Sequence, residues 1–267
     1  MPTPSVLLTG AGGFLGRYLL DELRTQGVRV HTAGRQSADV ALDLGEPGAV
    51  AAAVAAAPAD VVLNCGALSS IGACARDPRL ALAVNAEAVA AFCQAAPRVV
   101  QLSTDLVFGG DDAPYAESSA PAPRNEYGRS KAAAEAPVVA AGGLVLRLPL
   151  LFGRSFDGVR GATDMIRGAG GGSLSLFTNE FRTPLHAADA ARAVVELLLA
   201  ERAGIVHLPG PERVSRYEFG VRFARRVGLP LERLAPSVSS DPLRPRDVSM
   251  TGSWVASRSL DAMLDAS

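Results

Sequence analysis

Cysteine and histidine are scarce in this chain of 267 residues. The three cysteines are scattered and form no Cys-x-x-Cys pair: Cys65, Cys74 and Cys93. The three histidines are equally dispersed: His31, His186 and His207. An odd number of separated thiols argues against a disulfide framework, and no spacing is typical of a metal site. We expect no bound metal and buried structural thiols, with Cys65 alone lining a site.

An excess of charge of either sign is also absent. The formal net charge of −1 gives no support for nucleic-acid binding or for a polybasic membrane contact. The apolar run Val194–Ala200 is interrupted by Glu196 and is too short to cross a bilayer. Residues Met1–Pro4 have neither the basic flank nor the apolar core of a signal peptide. We therefore expect a cytosolic protein with no nucleic-acid or membrane partner.

Short apolar runs alternate with amphipathic stretches through the first half of the chain. The runs predict strands at Ser5–Thr9, Val28–Thr32, Val61–Asn64, Val99–Ser103 and Leu144–Leu148. The amphipathic stretches predict helices at Phe14–Gln26, Pro47–Ala57, Pro78–Ala96 and Asn125–Ala140. This alternation is typical of an α/β fold, with a doubly wound parallel sheet covered by helices on both faces.

The second half of the chain is less regular. Its predicted elements are the helices Thr163–Arg167, Ala187–Arg202 and Ser215–Val227, and the strand Ile205–Leu208. Pro236–Ser253 is rich in Pro, Ser and Asp and predicts an extended surface segment. We expect residues 1–150 to form a nucleotide-binding domain whose sheet is completed by residues around 183–208. Residues 151–182 and 209–267 are then expected to form a smaller C-terminal, substrate-binding lobe.

A glycine-rich turn follows the first predicted strand and opens the first predicted helix. Gly10, Gly13 and Gly16 give the spacing Gly-x-x-Gly-x-x-Gly. In this setting the glycines permit a tight turn, a close approach of backbone to a pyrophosphate, and close packing of helix on strand. The anion then lies at the helix N-terminus, beside Phe14 and Leu15. A flexible glycine turn is the alternative, but the strand–turn–helix context favours a dinucleotide site.

The end of the second predicted strand bears on the choice of cofactor. NAD sites usually place Asp or Glu there to bind the ribose hydroxyls, whereas this chain has Gly34 and Arg35. A guanidinium suits a 2′-phosphate, so Arg35 favours NADP(H) over NAD(H). Asp39 lies slightly further on and keeps NAD(H) possible. A solvated loop cation is the other interpretation of Arg35.

Two further motifs are suited to carbonyl reduction. On a helix, Tyr127 and Lys131 lie one turn apart on the same face. An ammonium beside a phenol is expected to lower its pKa from about 10 and give a proton donor near neutral pH. The fourth predicted strand ends in Ser103-Thr104-Asp105, at the edge where parallel sheets bind ligands. Thr104 is placed to donate a hydrogen bond to a substrate carbonyl, although a polar turn has the same composition.

Together these motifs resemble those of the extended short-chain dehydrogenases/reductases, above all the dTDP-4-dehydrorhamnose reductase branch. The matching residues run nearly end to end: Thr9–Gly16, Asp43–Leu44, Asn64–Ala67, Asp77–Pro78, Val84–Asn85, Leu102–Phe108, Tyr127–Lys131, Leu146–Leu148, Phe152–Gly153, Asp189–Ala191 and Arg244–Pro245. The resemblance implies a Rossmann fold and the NADPH-dependent reduction of a nucleotide-linked 4-keto sugar. It also implies a homodimer, since related proteins often pair through helices that include the Tyr/Lys helix.

The resemblance also implies individual roles. Tyr127 would be the general acid, Lys131 would bind the nicotinamide ribose, and Thr104 would bind the substrate carbonyl. The implied cofactor-lining residues are Gly10, Gly13, Phe14, Leu15, Arg35, Asp43, Leu44, Cys65, Gly66, Ala67 and Ser103, together with Tyr127 and Lys131. Asp105 and Arg182 are assigned to the substrate, and Arg182 resembles an arginine that clasps the nucleotide pyrophosphate. A surface charge is the equal alternative for Arg182.

The chain departs from the branch on the substrate side, so the sugar stays open. The departures are Leu106 for a Tyr, Gly109-Gly110 for an Asp-Gly, Leu148-Pro149-Leu150 for a Thr-Ser-Trp, and Phe181-Arg182-Thr183-Pro184 for a Gly-x-Pro-Thr region. A sugar-nucleotide epimerase or dehydratase of the same superfamily is one alternative. A non-catalytic regulatory subunit that binds NADP and a partner enzyme is another, against which the intact Thr104, Tyr127 and Lys131 argue.

Overall fold

Parallel strands form the centre of the protein in the computed structural model, which describes residues 3–168 and 172–267. Two short parts of the chain lie outside the described residues. They are Met1 and Pro2, from the N-terminal segment considered above, and residues 169–171, from the predicted lobe segment 151–182. The strands are β1 (Val6–Thr9), β2 (Val30–Gly34), β3 (Val40–Ala41), β4 (Val61–Asn64), β5 (Val99–Thr104), β6 (Leu144–Leu148), β7 (Leu151–Phe152), β8 (Leu174–Phe177), β9 (Phe181–Arg182), β10 (Leu185–His186), β11 (Gly204–His207), β12 (Val214–Ser215) and β13 (Leu234–Ser237).

Helices occupy most of the connections between these strands. They are α1 (Phe14–Thr25), α2 (Ala49–Ala56), α3 (Ile71–Arg76), α4 (Pro78–Leu82), α5 (Ala88–Ala95), α6 (Glu126–Ala133), α7 (Glu135–Ala140), α8 (Ala162–Gly168), α9 (Ala187–Leu199), α10 (Arg216–Arg226) and α11 (Leu260–Asp265). A π-helical turn, Ala83–Glu87, joins α4 to α5, and 3₁₀ turns occur at Asp105–Val107 and Leu231–Arg233. No helix in these ranges is both long and apolar enough to span a membrane.

The main sheet has seven parallel strands in the order β11-β6-β5-β4-β1-β2-β3. The chain therefore runs outward from β1 in one direction and from β4 in the other. Ligand crevices of open α/β sheets form at such a reversal, outside the carboxyl ends of the strands. The predicted doubly wound α/β fold is confirmed. Strand β11 pairs with β6 at one edge of the sheet.

Short two-stranded pairings follow the sixth strand: β7 with β10, β9 with β12, and β8 with β13. One apolar core joins these later segments to the main sheet, since Val6, Phe152, Phe219 and Leu264 all belong to it and are almost fully buried. The proposed division at residue 150 stays a prediction.

Two long predicted helices are interrupted. The helix expected at Pro78–Ala96 contains the π-helical turn, and the one expected at Asn125–Ala140 breaks between α6 and α7. The second break has a local cause, because a proline ring clashes with the carbonyl four residues earlier inside a helix. Starting a new helix at Glu135 puts Pro137 in a first turn, where proline is tolerated.

The expectation that Pro236–Ser253 is an extended surface segment needs correction. Its first residues belong to β13, and Val248 and Met250 are buried against the apolar side chains that follow β5. Backbone hydrogen bonds link Tyr115 to this segment on both sides, at 2.8 Å from its amide to the Ser249 carbonyl and 2.8 Å to its carbonyl from the Thr251 amide. Helices α3 and α11 were not predicted.

A buried ion pair connects α7 to the sheet. Arg147 in β6 is 1% exposed and binds Glu135 through two hydrogen bonds, of 3.0 and 2.6 Å. Ser103 at the end of β5 donates a third, of 2.6 Å, to Glu135 Oε1. Since both charges are out of water, each depends on the other for compensation.

Removing one charge of this buried pair should lower the free energy of unfolding more than removing one charge of a surface pair. For Glu135→Gln, which leaves the Arg147 charge uncompensated, we expect the free energy of unfolding to fall by about 3 kcal/mol. The control is Glu126→Gln, which breaks the exposed 2.7 Å pair with Arg129 and should cost less than about 1 kcal/mol. Urea unfolding measures both variants. An equal loss of unfolding free energy in the two would contradict a stabilising role of the buried pair.

Candidate active site

A cavity of about 910 Å³ opens at the carboxyl edge of the sheet, where the strand order reverses. The turns after β1 and β4 meet there. Gly10 has a φ of +68°, and a Cβ on it would lie 2.7 Å from the Gly66 amide nitrogen. A Cβ on Gly16 would lie 2.0 Å from the Gly10 carbonyl oxygen. Both positions therefore require glycine, which brings backbone amides to the cavity at the start of α1.

Every residue that the sequence assigned to the cofactor lines this one cavity. They are Gly10, Gly13, Phe14, Leu15, Arg35, Asp43, Leu44, Cys65, Gly66, Ala67, Ser103, Tyr127 and Lys131. Cavities of 300–1,000 Å³ are usual for cofactors and other small molecules, so size and lining both fit a dinucleotide. Arg160, which the sequence analysis did not identify, lines the cavity as well.

Arg35 and Asp39, the two residues that bear on the choice between NADP(H) and NAD(H), differ in their position relative to the cavity. Arg35 is exposed and lines the cavity. The Asp39 carboxylate accepts hydrogen bonds from the Thr32 amide and hydroxyl, at 2.8 and 2.9 Å, and does not line the cavity. Of these two candidates, only Arg35 faces the cavity, because Asp39 is engaged with Thr32 of β2.

A second cavity, of about 410 Å³, adjoins the first. Thr104 and Tyr127 line both cavities and so lie in the wall between them. The charged residues of the second cavity are Asp105, Glu180, Arg182, Arg216 and Arg244. The sequence assigned Asp105 and Arg182 to this region. It missed Glu180 and Arg216, and Arg244 appeared only within a matching motif.

The three arginines of the second cavity are held in different ways. Arg244 is paired with Glu180, with one of its hydrogen bonds at 3.0 Å. Arg182 donates to the Phe181 carbonyl at 2.7 Å, and its Nε lies 3.6 Å from Asp105 Oδ2. The Arg216 guanidinium has no hydrogen-bond partner within residues 3–168 and 172–267, and burial lowers its pKa to about 10. The cavity can therefore accept an anion.

Asp105 follows Thr104 in the chain, and its Oδ1 accepts a 3.2 Å hydrogen bond from the Thr104 hydroxyl. It is 3% exposed, and its Oδ2 has no hydrogen-bond partner in the described part of the chain. Burial raises the pKa of this carboxyl to about 6, although the Arg182 charge opposes the rise. Asp105 thus changes its charge just below neutral pH.

Helix α6 carries Tyr127 and Lys131, and its start is closely fixed. The Asn125 side chain caps it by accepting a 2.9 Å hydrogen bond from the Gly128 amide. A Cβ on Gly128 would lie 2.2 Å from the Leu106 carbonyl oxygen. The absence of a side chain at Gly128 therefore lets α6 lie directly against the turn that follows Thr104.

The pKa of Tyr127 shifts in the direction opposite to the one expected from Lys131. Burial raises the pKa of the Tyr127 phenol well above its ordinary value, the Asp105 carboxylate adds to the rise, and a hydrogen bond with Thr104 partly opposes it. Burial also lowers the pKa of Lys131 to about 8, which leaves its ammonium mostly protonated at neutral pH. The prediction of a lowered tyrosine pKa was wrong because it ignored desolvation. The phenol holds its proton at neutral pH.

Two neighbours complete this part of the site. Burial raises the pKa of the Cys65 thiol to about 12, so it stays neutral in the cavity wall. Asn85, in the π-helical turn, accepts a 2.8 Å hydrogen bond from the Leu68 amide and donates to the Leu68 carbonyl at 3.0 Å and to Ser130 Oγ at 2.9 Å. Asn85 thereby links the turn after β4 to α6.

No cluster of three metal-ligating side chains occurs among the described residues.

The sequence matches the family described as the RmlD substrate binding domain over residues 4–254. The protein belongs to this family. The relationship to dTDP-4-dehydrorhamnose reductases that the motifs indicated is thereby confirmed. The matched range includes the residues that line both cavities.

Relatives in this family include named reductases. The chain is 32% identical to the probable low-salt glycan biosynthesis reductase Agl14 of Haloferax volcanii, over 89% of this chain and 85% of that protein. It is 33% identical to a dTDP-4-dehydrorhamnose reductase of Streptomyces griseus, over 91% and 83%. It is also 30% identical to the methionine adenosyltransferase 2 subunit beta of Xenopus laevis, over 91% and 78%.

The fold is shared with solved structures of the same kind. A dTDP-4-dehydrorhamnose reductase from Clostridium acetobutylicum superposes with a TM-score of 0.84 at 25% identity, covering 98% of this chain and 97% of that one. The enzyme from Bacillus anthracis, solved with NADP, gives a TM-score of 0.87 at 22% identity, covering 98% of both chains, and shows likeness of fold alone.

Lys131 offers a direct measurement of the site's charge, because it is the only lysine in the chain. Protein labelled with ¹³C-lysine gives one Cε signal, and in the cofactor-free protein we expect its titration midpoint at about 8 because burial disfavours the ammonium. In urea the midpoint should return to the ordinary value of about 10.4. A folded-state midpoint above 10 would contradict a desolvated Lys131.

The close approach at Gly128 can be tested with a matched pair of glycines. Gly128→Ala forces a methyl group against the Leu106 carbonyl and should lower the free energy of unfolding by about 1–3 kcal/mol. In Gly72→Ala, within α3, the nearest atom to the new Cβ is the end of the Arg76 side chain at 3.6 Å. That variant should gain about 0.5–1 kcal/mol from helix propensity. Denaturant unfolding decides, and a stabilised Gly128→Ala protein would disprove the contact.

Proposed function

We propose that the protein is an NADPH-dependent reductase of a nucleotide-linked 4-keto sugar, with Tyr127 as the general acid. The observation that carries this proposal is the position of Thr104 and Tyr127 in the wall shared by the two cavities. One cavity has the lining expected for a dinucleotide, and the other holds arginines suited to a diphosphate. The relatives named as reductases support the same activity. A cytoplasmic location belongs to this proposal too.

The proposed chemistry assigns a step to each side chain in the shared wall. The nicotinamide, when bound, supplies the hydride. Thr104 donates a hydrogen bond to the sugar carbonyl oxygen and orients it. Tyr127, which is protonated at neutral pH, gives its proton to that oxygen as the alkoxide develops. Lys131 lies one turn away on the same helix and stabilises the resulting tyrosinate.

The second cavity accounts for a charged, nucleotide-linked substrate rather than a free sugar. Arg216 has an unsatisfied guanidinium, and Arg182 is bound to the Phe181 carbonyl but makes only a long ionic contact with Asp105. Guanidinium groups bind phosphate oxygens strongly and bidentately. A diphosphate in this cavity is therefore expected to hold the sugar against Thr104.

NADP(H) is the proposed cofactor, with NAD(H) as a weaker alternative. Arg35 lines the adenosine end of the cavity, where a 2′-phosphate would gain a charged hydrogen bond. Asp39, the group that would favour ribose hydroxyls, is bound to Thr32 instead.

The test of the reductase proposal is Tyr127→Phe. Oxidation of NADPH with 4-keto sugar nucleotides should fall by about 10²–10⁴-fold in kcat, because the proton donor is lost. Binding of NADPH should stay within a few-fold of wild type, since the ring is retained. Full activity in Tyr127→Phe would refute the assigned role.

A non-catalytic regulatory subunit is the second candidate, because the methionine adenosyltransferase 2 subunit beta is a relative of similar identity. Wild-type protein that binds NADPH, reduces no 4-keto sugar nucleotide and binds a partner enzyme tightly would favour this candidate. An epimerase is the third, and would be indicated by NAD that copurifies with the protein.

A further inference from the structure

The loop between β7 and α8 crosses the entrance to the glycine-rich turn. Its residues 154–160, here called the strap, contact the start of α1 at three points. The Tyr18 hydroxyl donates to the Arg154 carbonyl at 2.7 Å, and the Arg17 guanidinium lies 4.1 Å from the centroid of the Phe156 ring. Arg160 Nη1 donates to the Gly12 carbonyl at 3.3 Å. The strap is therefore attached to the element that the proposed cofactor site uses for phosphate.

Hydrogen bonds within the loop give the strap a defined shape. Asp164 Oδ2 accepts from the amides of Ser155 and Gly161, at 2.9 and 3.0 Å. Ser155 Oγ accepts from the amides of Val159 and Arg160, at 3.1 and 3.2 Å. The position of Arg160 over the glycine-rich turn thus follows from the folding of its own loop.

Arg160 has capacity left for a ligand. Its Nε pairs with Asp157 at 2.6 Å, and its Nη1 is bound to Gly12. Its Nη2 has no partner within the described ranges, and the side chain lines the 910 Å³ cavity. The other cationic side chains that line this cavity are Arg35, after β2, and Lys131, in α6.

We propose that Arg160 is a cofactor-binding residue that contacts the diphosphate of the dinucleotide, while Arg35 contacts the 2′-phosphate. This proposal rests on the proposed cofactor site. A diphosphate at the N-terminus of α1 lies beside Gly12 and Gly13, and the Arg160 guanidinium is already bonded to the Gly12 carbonyl. The first turn of α1 contains no acidic side chain that would compete for the guanidinium. Arginine pairs with phosphate oxygens bidentately, which suits the free edge of Arg160.

The proposal predicts different selectivity for the two arginines. The diphosphate is common to NADPH and NADH, whereas only NADPH has the 2′-phosphate. Arg160→Gln should therefore weaken both cofactors by the same factor, about tenfold in Kd. Arg35→Gln should weaken NADPH by a similar factor and leave NADH unchanged. The combination separates the two contacts without any knowledge of the sugar.

The experiment is a fluorescence titration of each purified protein with NADPH and with NADH, at low ionic strength and without sugar substrate. The control is Arg154→Gln, an exposed strap residue whose side chain does not line the cavity, and its Kd values should equal those of wild type. Thermal unfolding checks that the exposed Arg160→Gln substitution leaves stability within about 0.5 kcal/mol.

Each outcome bears on the inference. Equal loss for both cofactors in Arg160→Gln supports it. Unchanged affinity for both, or a loss confined to NADPH, overturns it. If wild-type protein binds neither cofactor, the proposed function fails together with the inference. If wild-type protein binds both cofactors and Arg160→Gln binds them with unchanged Kd values, the inference alone fails.

Discussion

The contact between α6 and the turn after β5 is the constraint on which the site depends. Gly128 lets the helix backbone lie against the Leu106 carbonyl, and Asn125 fixes where the helix begins. The phenol of Tyr127 is brought beside Thr104 by this approach rather than by any direct pairing with Lys131. The Glu135–Arg147 ion pair holds the following helix to β6, and Ser103 joins the same carboxylate. The backbone contact therefore acts on the turn after β5, and the buried ion pair acts through Ser103 on the carboxyl end of β5.

Desolvation sets the charge of the site before any ligand is present. Tyr127 keeps its proton, Lys131 is close to losing its own near pH 8, and Asp105 titrates near pH 6. At neutral pH the Tyr127 phenol is thus uncharged, Lys131 is mostly protonated and Asp105 is mostly ionised. The arginines that line the two cavities add permanent positive charge. Anionic parts of cofactor and substrate would meet those arginines, which leaves an uncharged carbonyl to face Tyr127.

Local spacing was sufficient to predict several of the residues that line the larger cavity. The glycine-rich turn, Arg35 and the Tyr127–Lys131 pair each lie at the end of a strand or within one helix, where chain order fixes their position. The second cavity was harder to predict from the sequence, because its charged groups come from β9, α10, the 3₁₀ turn after β5 and two loops. The pairing of β9 with β12, only two residues long, brings them together and leaves no periodic signal in the sequence. The tyrosine pKa was mispredicted because helical spacing gives the distance to Lys131 but not the burial of either group.

The π-helical turn at Ala83–Glu87 makes the site sensitive to chain length. Such a turn holds one more residue than regular α-helix, and each residue of a helix turns the side-chain direction by about 100°. Deleting one residue between Asp77 and Asn85 would straighten the helix and rotate Asn85 away from Leu68 and Ser130. Sequence comparisons across this family should therefore treat an alignment gap at this turn as a change in the geometry of the site, even where every residue of the Tyr127–Lys131 motif is kept.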